Sequence, residues 1–117
     1  MHEFSIAEGL VNTVLAELEK QPAGVQLKKT RVVIGDMRQV VTDTLTFAYK
    51  TLTRDTPAAG SELDIVTRPV TLHCRACGWR GAIDDRLFVC AECGARDVEV
   101  ATGKELYLES LEISDDE

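Results

Sequence analysis

Two short stretches decide the fold of this chain: CRACG at residues 74–78 and CAECG at residues 90–94. Each is a C-x-x-C pair followed by glycine, with twelve residues between the inner cysteines. Two such pairs that face each other supply four thiolates at the corners of a tetrahedron, which is the geometry of a structural zinc site. The sequence therefore predicts one zinc ion, held by Cys74, Cys77, Cys90 and Cys93.

The glycines after both pairs, Gly78 and Gly94, fit this prediction, because the tight turn after each second cysteine favours positive φ. Cys74 and Cys90 each follow an apolar stretch, so each pair is expected at the tip of a hairpin. Two disulfides are a weak alternative, since nothing suggests export and cytosolic thiols stay reduced. A tetrathiolate iron site is chemically possible. Zinc with four thiolates has no open coordination position, so its role would be structural.

The segment around the cysteines, residues 70–103, is too short to build much of a core. The metal would supply most of its folding free energy. We therefore expect a zinc-binding domain at 70–103, inserted into a second domain formed by residues 1–69 and 104–117.

The first helix is predicted from a capping box, SIAE at residues 5–8. Behind it, apolar residues recur every four positions from Ile6 to Leu18, and Pro22 and Gly24 end the helix. Residues 1–4 are then expected just outside the helix, free to reach elsewhere.

The rest of the chain predicts a second helix and about three strands. Strands are expected at 25–34, around Leu63 and Ile65 with a continuation interrupted by Pro69, and at 105–113; the helix is expected at 42–54. The apolar parity of the last strand slips near Ser110, which indicates a bulge or a strand buried on both sides. The predicted fold class is α+β, with two helices packed on a small sheet of about three strands.

Composition excludes several functions. The 117 residues carry a net charge of −7, which argues against a general nucleic-acid binder. No apolar run approaches the ~20 residues of a membrane span. The start lacks a basic region and an unbroken apolar core, so it does not read as a secretory signal, and we expect a cytoplasmic protein.

A zinc ribbon that binds nucleic acid or protein is the alternative function. Four arginines lie in the cysteine segment, but nearby aspartates and glutamates offset them. Trp79 and Phe88 could stack on bases, yet such residues more often cover zinc knuckles. An enzyme finds little support, because the sequence has no open-site zinc signature, no Gly-rich phosphate loop and no evident nucleophile with a base.

The amino terminus offers a second metal site. An initiator Met is normally retained before a bulky residue, so the Met1 amine is a nitrogen ligand beside His2. The amine and the His2 amide can close a five-membered chelate ring, and that amide and the imidazole Nδ1 close a six-membered one. Planar nitrogen ligation suits Ni(II) or Cu(II) and suits zinc poorly. Glu3 could add its amide or an oxygen, or tune the site without binding metal.

Taken alone, this signal is weak, because a single histidine near a terminus is usually solvated. The other histidine, His73, lies beside Cys74, where it could orient a thiolate or simply be exposed.

The combination of motifs resembles the hydrogenase-maturation nickel chaperones of the HypA/HybF family. The resemblance rests on MHE with Ser5, VIG at 33–35 leading to LTFAY at 45–49, the two cysteine pairs, and GKEL at 103–106 ahead of LEI at 111–113. It implies an α+β domain that binds nickel at Met1, His2 and Glu3, with a zinc domain before the last strand. It also implies delivery, alongside a HypB-like GTPase, to the large subunit of [NiFe] hydrogenase or to urease.

Two positions depart from the family pattern. Family members commonly carry an acidic residue where this chain has Val41, with Asp43 two positions on. The second cysteine pair also lacks the proline often found after its first cysteine, which leaves the thiolates unchanged.

The leading hypothesis is a non-enzymatic nickel carrier, a monomer or weak homodimer, with structural zinc.

Overall fold

The computed structural model describes residues 2–83 and 87–114. Along these residues the elements are α1 (Glu3–Glu19), β1 (Gln26–Gly35), a short 3₁₀ helix (Asp36–Arg38), α2 (Thr42–Thr53), β2 (Glu62–Arg68), β3 (Thr71–Cys74), β4 (Arg80–Ala82), β5 (Val98–Thr102) and β6 (Leu106–Ser114). No helix in these ranges is long and apolar enough to cross a membrane.

The chain forms two compact units. The helix unit contains the described residues of 1–33, 40–66 and 107–117, and the cysteine unit contains those of 34–39 and 67–106. These limits describe compactness and do not test folding in isolation. The independent zinc-binding domain at residues 70–103 therefore stays a prediction.

The helix unit packs two helices and a three-stranded sheet of order β2-β1-β6, which confirms the predicted fold class. Val14 of α1, Leu27 of β1 and Ala58 form a buried cluster. Leu108 and Leu111 of β6 both pack against it, although their positions differ in parity. The exposed pair Glu109 and Ser110 lies between them, so the predicted parity slip is confirmed. Burying each large aliphatic side chain contributes roughly 1.5–3 kcal/mol, so this cluster fixes α1 on the sheet.

The capping box predicted at residues 5–8 is wrong. The helix begins one turn earlier than expected, at Glu3, and His2 is its N-cap with extended φ and ψ of −87° and 101°. Ser5 lies exposed inside the first turn, and the Ile6 amide donates to the His2 carbonyl at 3.1 Å. The first turn is held instead by a contact with α2, in which Glu3 Oε2 accepts a hydrogen bond from the Val41 amide at 2.9 Å.

A buried chain of hydroxyl groups ties α2 to the sheet and to the loop before β2. Tyr49 Oη lies 2.8 Å from Thr30 Oγ1 and 2.7 Å from Ser61 Oγ, and Ser61 donates to the Ala58 carbonyl at 2.7 Å. Because Ser61 uses its single proton on that carbonyl, Tyr49 must donate to Ser61 and accept from Thr30. The buried Thr30 hydroxyl therefore depends on Tyr49 for its acceptor, whereas Ser61 keeps its bond to Ala58.

The cysteine unit is built on a second three-stranded sheet, of order β4-β3-β5 with antiparallel pairing. Cys74 ends β3, so the first cysteine pair lies at the tip of the β3–β4 hairpin as predicted. The hairpin expected at Cys90 is wrong, because residues 87–89 form no strand. The strand expected to continue across Pro69 is two strands, β2 and β3, in different sheets.

A close backbone approach joins the end of β1 to the residues before β6. The Gly35 amide donates to the Glu105 carbonyl at 2.7 Å, and the Met37 amide donates to the Gly103 carbonyl at 2.8 Å. A Cβ on Gly35 would overlap the Gly103 carbonyl. Arg38 Nε donates to the Lys104 carbonyl at 2.8 Å. We call this set of contacts the strand-end clamp.

Replacing Tyr49 with phenylalanine should lower the free energy of unfolding by about 1–3 kcal/mol, because Thr30 then lacks a buried acceptor. Urea denaturation of the zinc-loaded protein measures this change. Tyr107→Phe is the matched control, since Tyr107 lies 46% exposed on β6. Equal unfolding midpoints for the two variants would show that the hydroxyl chain does not stabilise the fold.

Candidate metal centres

The structure brings the four predicted cysteines together in the cysteine unit. Their Sγ atoms all lie within 4.8 Å of one another, with 3.8 Å between Cys74 and Cys93 and 3.5 Å between Cys77 and Cys90. A tetrahedral zinc site with ~2.3 Å bonds has S···S edges of roughly 3.8 Å. The cysteines are free thiols, and these separations are far beyond the ~2.05 Å of a disulfide. The arrangement is suited to one zinc ion with four thiolate ligands.

The two cysteine pairs have matching backbone hydrogen bonds. The Gly78 amide donates to the Cys74 carbonyl at 2.9 Å, and the Gly94 amide donates to the Cys90 carbonyl at 3.0 Å. Gly78 and Gly94 have φ of 86° and 74°, so the predicted need for positive φ is confirmed. These turns aim amide N–H groups at sulfur, a pattern that stabilises thiolates.

Cys90 shows the electrostatic effect of those amides. Burial raises the pKa of its thiol, but the N–H groups of Cys93 and Glu92, together with the Cys77 and Cys93 thiols, lower the pKa to about 7. Their nitrogens both lie 3.3 Å from Cys90 Sγ. A thiol that ionises near neutral pH is ready to bind a cation, because the thiolate is the metal ligand. The Cys77 and Cys93 thiols have raised pKa values, so the fit to zinc rests on the four sulfur donors and their separations.

His73 contacts a carboxylate on the neighbouring strand. It lies on β3 opposite Glu99, and its Nδ1 is 3.1 Å from Glu99 Oε2. Hydrogen bonding to His73, together with the positive charge of Arg75, lowers the pKa of Glu99. Arg75 also bonds Asp97 at 3.0 Å. This ion-pair ladder braces β5 against β3 beside the cysteines, and sequence reasoning missed it because the pairs are remote in the chain.

Two of the predicted nickel residues, His2 and Glu3, lie at the start of α1 in the helix unit. Met1 lies outside the described residues. His2 is exposed at the N-cap position, and Glu3 is half-buried in the first helical position. The His2 imidazole is therefore accessible at the helix end, next to amides that have no α-helical acceptor.

The Glu3 carboxylate already has a partner. Its hydrogen bond from the Val41 amide is the main cause that lowers the pKa of Glu3, followed by a bond from its own amide. Asp43, the nearest acidic side chain on α2, is exposed in the first turn. The Val41 amide is thus a functional neighbour that sequence reasoning did not find, since a backbone donor leaves no mark in the residue pattern.

Fold and metal centre together define a small α+β metal-binding protein with a four-cysteine module before its last strand. A family model described as "Hydrogenase/urease nickel incorporation, metallochaperone, hypA" matches residues 1–113. The chain belongs to this HypA family of nickel metallochaperones.

Individual relatives agree with this assignment. The chain is 35% identical over 116 residues to a hydrogenase maturation factor HypA of Dehalococcoides mccartyi, covering 99% of this chain and 97% of the relative. It is 31% identical to the hydrogenase maturation factor HypA of Desulfatibacillum aliphaticivorans, and the match covers 100% of this chain and 90% of the relative. The solution structure of the Ni metallochaperone HypA from Helicobacter pylori matches with a TM-score of 0.66 at 26% identity, covering 96% and 97%. A second HypA solution structure matches with a TM-score of 0.75 at 25% identity, and the match covers 99% of this chain and 98% of that structure.

Cys93→Ala should abolish zinc binding and unfold residues 70–103 while sparing the helix unit, because metal and apolar burial stabilise the two parts separately. Zinc content and residue-resolved amide exchange measure the two effects. Ala91→Ser, an exposed change in the same turn, is the control and should keep the zinc. Loss of amide protection throughout α1 and α2 in Cys93→Ala would contradict the division.

Proposed function

We propose that this protein is a non-enzymatic nickel carrier that binds Ni(II) at Met1, His2 and Glu3 and delivers it to a hydrogenase or urease. The observation that supports it is the position of His2, an exposed imidazole at the free end of α1. Membership of a nickel-incorporation family supplies the identity of the metal.

The start of α1 can supply planar nitrogen ligands. The terminal amine, the His2 amide and its imidazole close two adjoining chelate rings, and the Glu3 amide can add a fourth nitrogen. That amide occupies the first helical position, where an N–H has no α-helical acceptor. Metal that replaces its proton therefore breaks no α-helical hydrogen bond and gives up only the bond from that amide to the Glu3 carboxylate. Ni(II) favours such a nitrogen plane, and zinc does not.

In this proposal zinc has a structural role. Cys74, Cys77, Cys90 and Cys93 would hold it with no open position, and the second cysteine of each pair donates its amide to the sulfur of the first. The chemistry that zinc supplies there is charge neutralisation of four thiolates packed together. A closed thiolate site and an open nitrogen site keep the two metals apart by ligand type.

Delivery involves two kinds of partner. We propose a HypB-like GTPase and the large subunit of [NiFe] hydrogenase, in the cytoplasm. The GTPase should bind the helix unit, because nickel passes over a short distance and the predicted nickel residues lie there. That unit exposes three apolar side chains near the start of α1 and on α2: Phe4, Val41 and Phe47.

His2→Ala should abolish high-affinity Ni(II) binding and leave zinc content and folding unchanged, because it deletes the six-membered chelate ring. Calorimetry on zinc-loaded protein and the absorption band of planar Ni(II) measure the binding. His73→Ala is the matched control, since that histidine pairs with Glu99, and it should have little effect. A His2→Ala protein that binds nickel as tightly as the native chain would refute the proposed site.

Adding one glycine before Met1 should also weaken nickel binding, although every native side chain is still present. The extension moves the amine away from the His2 chelate and changes the ring sequence. The same calorimetric titration applies, with circular dichroism to show that α1 is intact. Unchanged affinity would mean that the backbone at the terminus does not bind the metal.

Phe47→Ser should weaken binding of the GTPase partner, because Phe47 is 60% exposed on the helix unit. Phe88→Ser is the matched control, since Phe88 is 43% exposed in the cysteine unit. Binding of each full-length variant is measured by surface plasmon resonance with the purified GTPase. A larger loss for Phe88→Ser would place the GTPase on the cysteine unit instead.

A further inference from the structure

The Glu3 carboxylate is committed to the backbone of α2. Its Oε2 accepts a hydrogen bond from the Val41 amide at 2.9 Å. Val41 is the N-cap of α2, with φ of −81° and ψ of 107°, and no side chain caps that helix. The Val41 carbonyl accepts a hydrogen bond from the Leu45 amide at 3.0 Å. The Val41 amide has no acceptor within α2 and can donate to Glu3.

A second contact lies beside the first. The Phe4 ring meets the Phe47 ring edge-on, with centroids 6.4 Å apart and an interplanar angle of 76°. Such edge-to-face pairs are favourable beyond the area that they bury. Consecutive residues at the start of α1 thus contact α2, one through a hydrogen bond and one through its ring.

We propose that Glu3 is a positioning residue for nickel: its carboxylate holds the start of α1 on the Val41 amide and is not itself a metal ligand. The inference rests on the proposed function, since it concerns how the nickel nitrogens are presented. His2 directly precedes the anchored residue, so its amide and imidazole project from a fixed helix end.

The reason for anchoring is entropic. Terminal residues are usually frayed, and a frayed end must be ordered when it closes chelate rings on a metal. Anchoring Glu3 orders part of that end in advance, which reduces the entropy lost on binding. A carboxylate that moved to the metal would give up its bond to Val41 and free the helix end again. Because residue 41 is a valine in this chain, no acidic side chain at that position could anchor the helix end or bind the metal in place of Glu3.

The test removes each side of the hydrogen bond in turn. Val41→Pro deletes the N–H donor and leaves Glu3 intact, and proline's φ near −65° is close to the −81° of Val41. Glu3→Ala deletes the acceptor. Glu3→Gln keeps an oxygen that can accept from Val41 but is a poor nickel ligand. Glu8→Gln removes one exposed carboxylate from the same helix and is the charge control.

We expect Val41→Pro and Glu3→Ala each to weaken Ni(II) binding roughly tenfold in calorimetry on zinc-loaded protein, because about one more residue must then be ordered when the metal binds. The double variant should be no weaker than either single one, because both remove the same interaction. Glu3→Gln should retain affinity within roughly threefold. At saturating nickel the planar Ni(II) absorption band should be the same in every variant, since no ligand is lost.

The opposite pattern overturns the proposal. If the carboxylate binds nickel, Glu3→Gln loses as much nickel affinity as Glu3→Ala, and the absorption band shifts in both variants. Val41→Pro then binds nickel as tightly as the native chain. Amide protection at Leu45 and beyond shows whether α2 survives in Val41→Pro, and Glu3→Ala tests the same bond without a proline.

Failure of the proposed function looks different from failure of this inference. If the native chain does not bind nickel, or His2→Ala binds it equally well, the site itself is wrong and the role of Glu3 falls with it. If His2→Ala loses nickel while Val41→Pro and Glu3→Ala do not, the site stands and only the positioning role is refuted.

Discussion

The strand-end clamp is the constraint that holds the chain leaving β1 against the chain entering β6, and its backbone partners all lie within the cysteine unit. The sheet of order β2-β1-β6 ends with β6, which follows the whole cysteine segment in sequence yet lies beside β1. Closing so long a loop has an entropy penalty that grows only slowly with length, but something must fix the two ends. The amides of Gly35 and Met37 do so by bonding the carbonyls of Glu105 and Gly103. Only glycine at position 35 permits this approach, because a Cβ would occupy the space of the Gly103 carbonyl.

The two predicted metal sites use opposite solutions to metal binding. Four thiolates within 4.8 Å of one another form a closed set whose members repel unless a cation is present. The start of α1 presents the His2 imidazole at an exposed helix end. The first arrangement favours retention of its metal, and the second favours exchange. A carrier requires both properties in one chain, since its scaffold must persist while its cargo leaves.

Sequence reasoning succeeded where the signal is local. The C-x-x-C spacing predicted the cysteine cluster, and four-residue periodicity predicted α1 and α2 within a few residues of their observed limits. It missed β4, which has only three residues, and β5, whose alternating sequence VEVAT is a strand signal but only five residues long. It also failed at the start of α1. Ser5 and Glu8 matched a capping box, but the tertiary bond from Glu3 to Val41 extended the helix past it.

That extension matters for the chemistry, because it places the predicted nickel ligands at the positive end of a helix. The aligned peptide dipoles give a helix N-terminus about half a positive charge, which opposes a divalent cation. Glu3 offsets part of this field with a carboxylate one residue from His2, and amide nitrogens that release their protons to solvent when they bind the metal would add further negative charge. In the proposed site, nickel would be held through its chelate rings and weakened by the field of the helix. A helix end that attracts anions is a poor place to store nickel permanently, and for that reason a suitable place from which to release it.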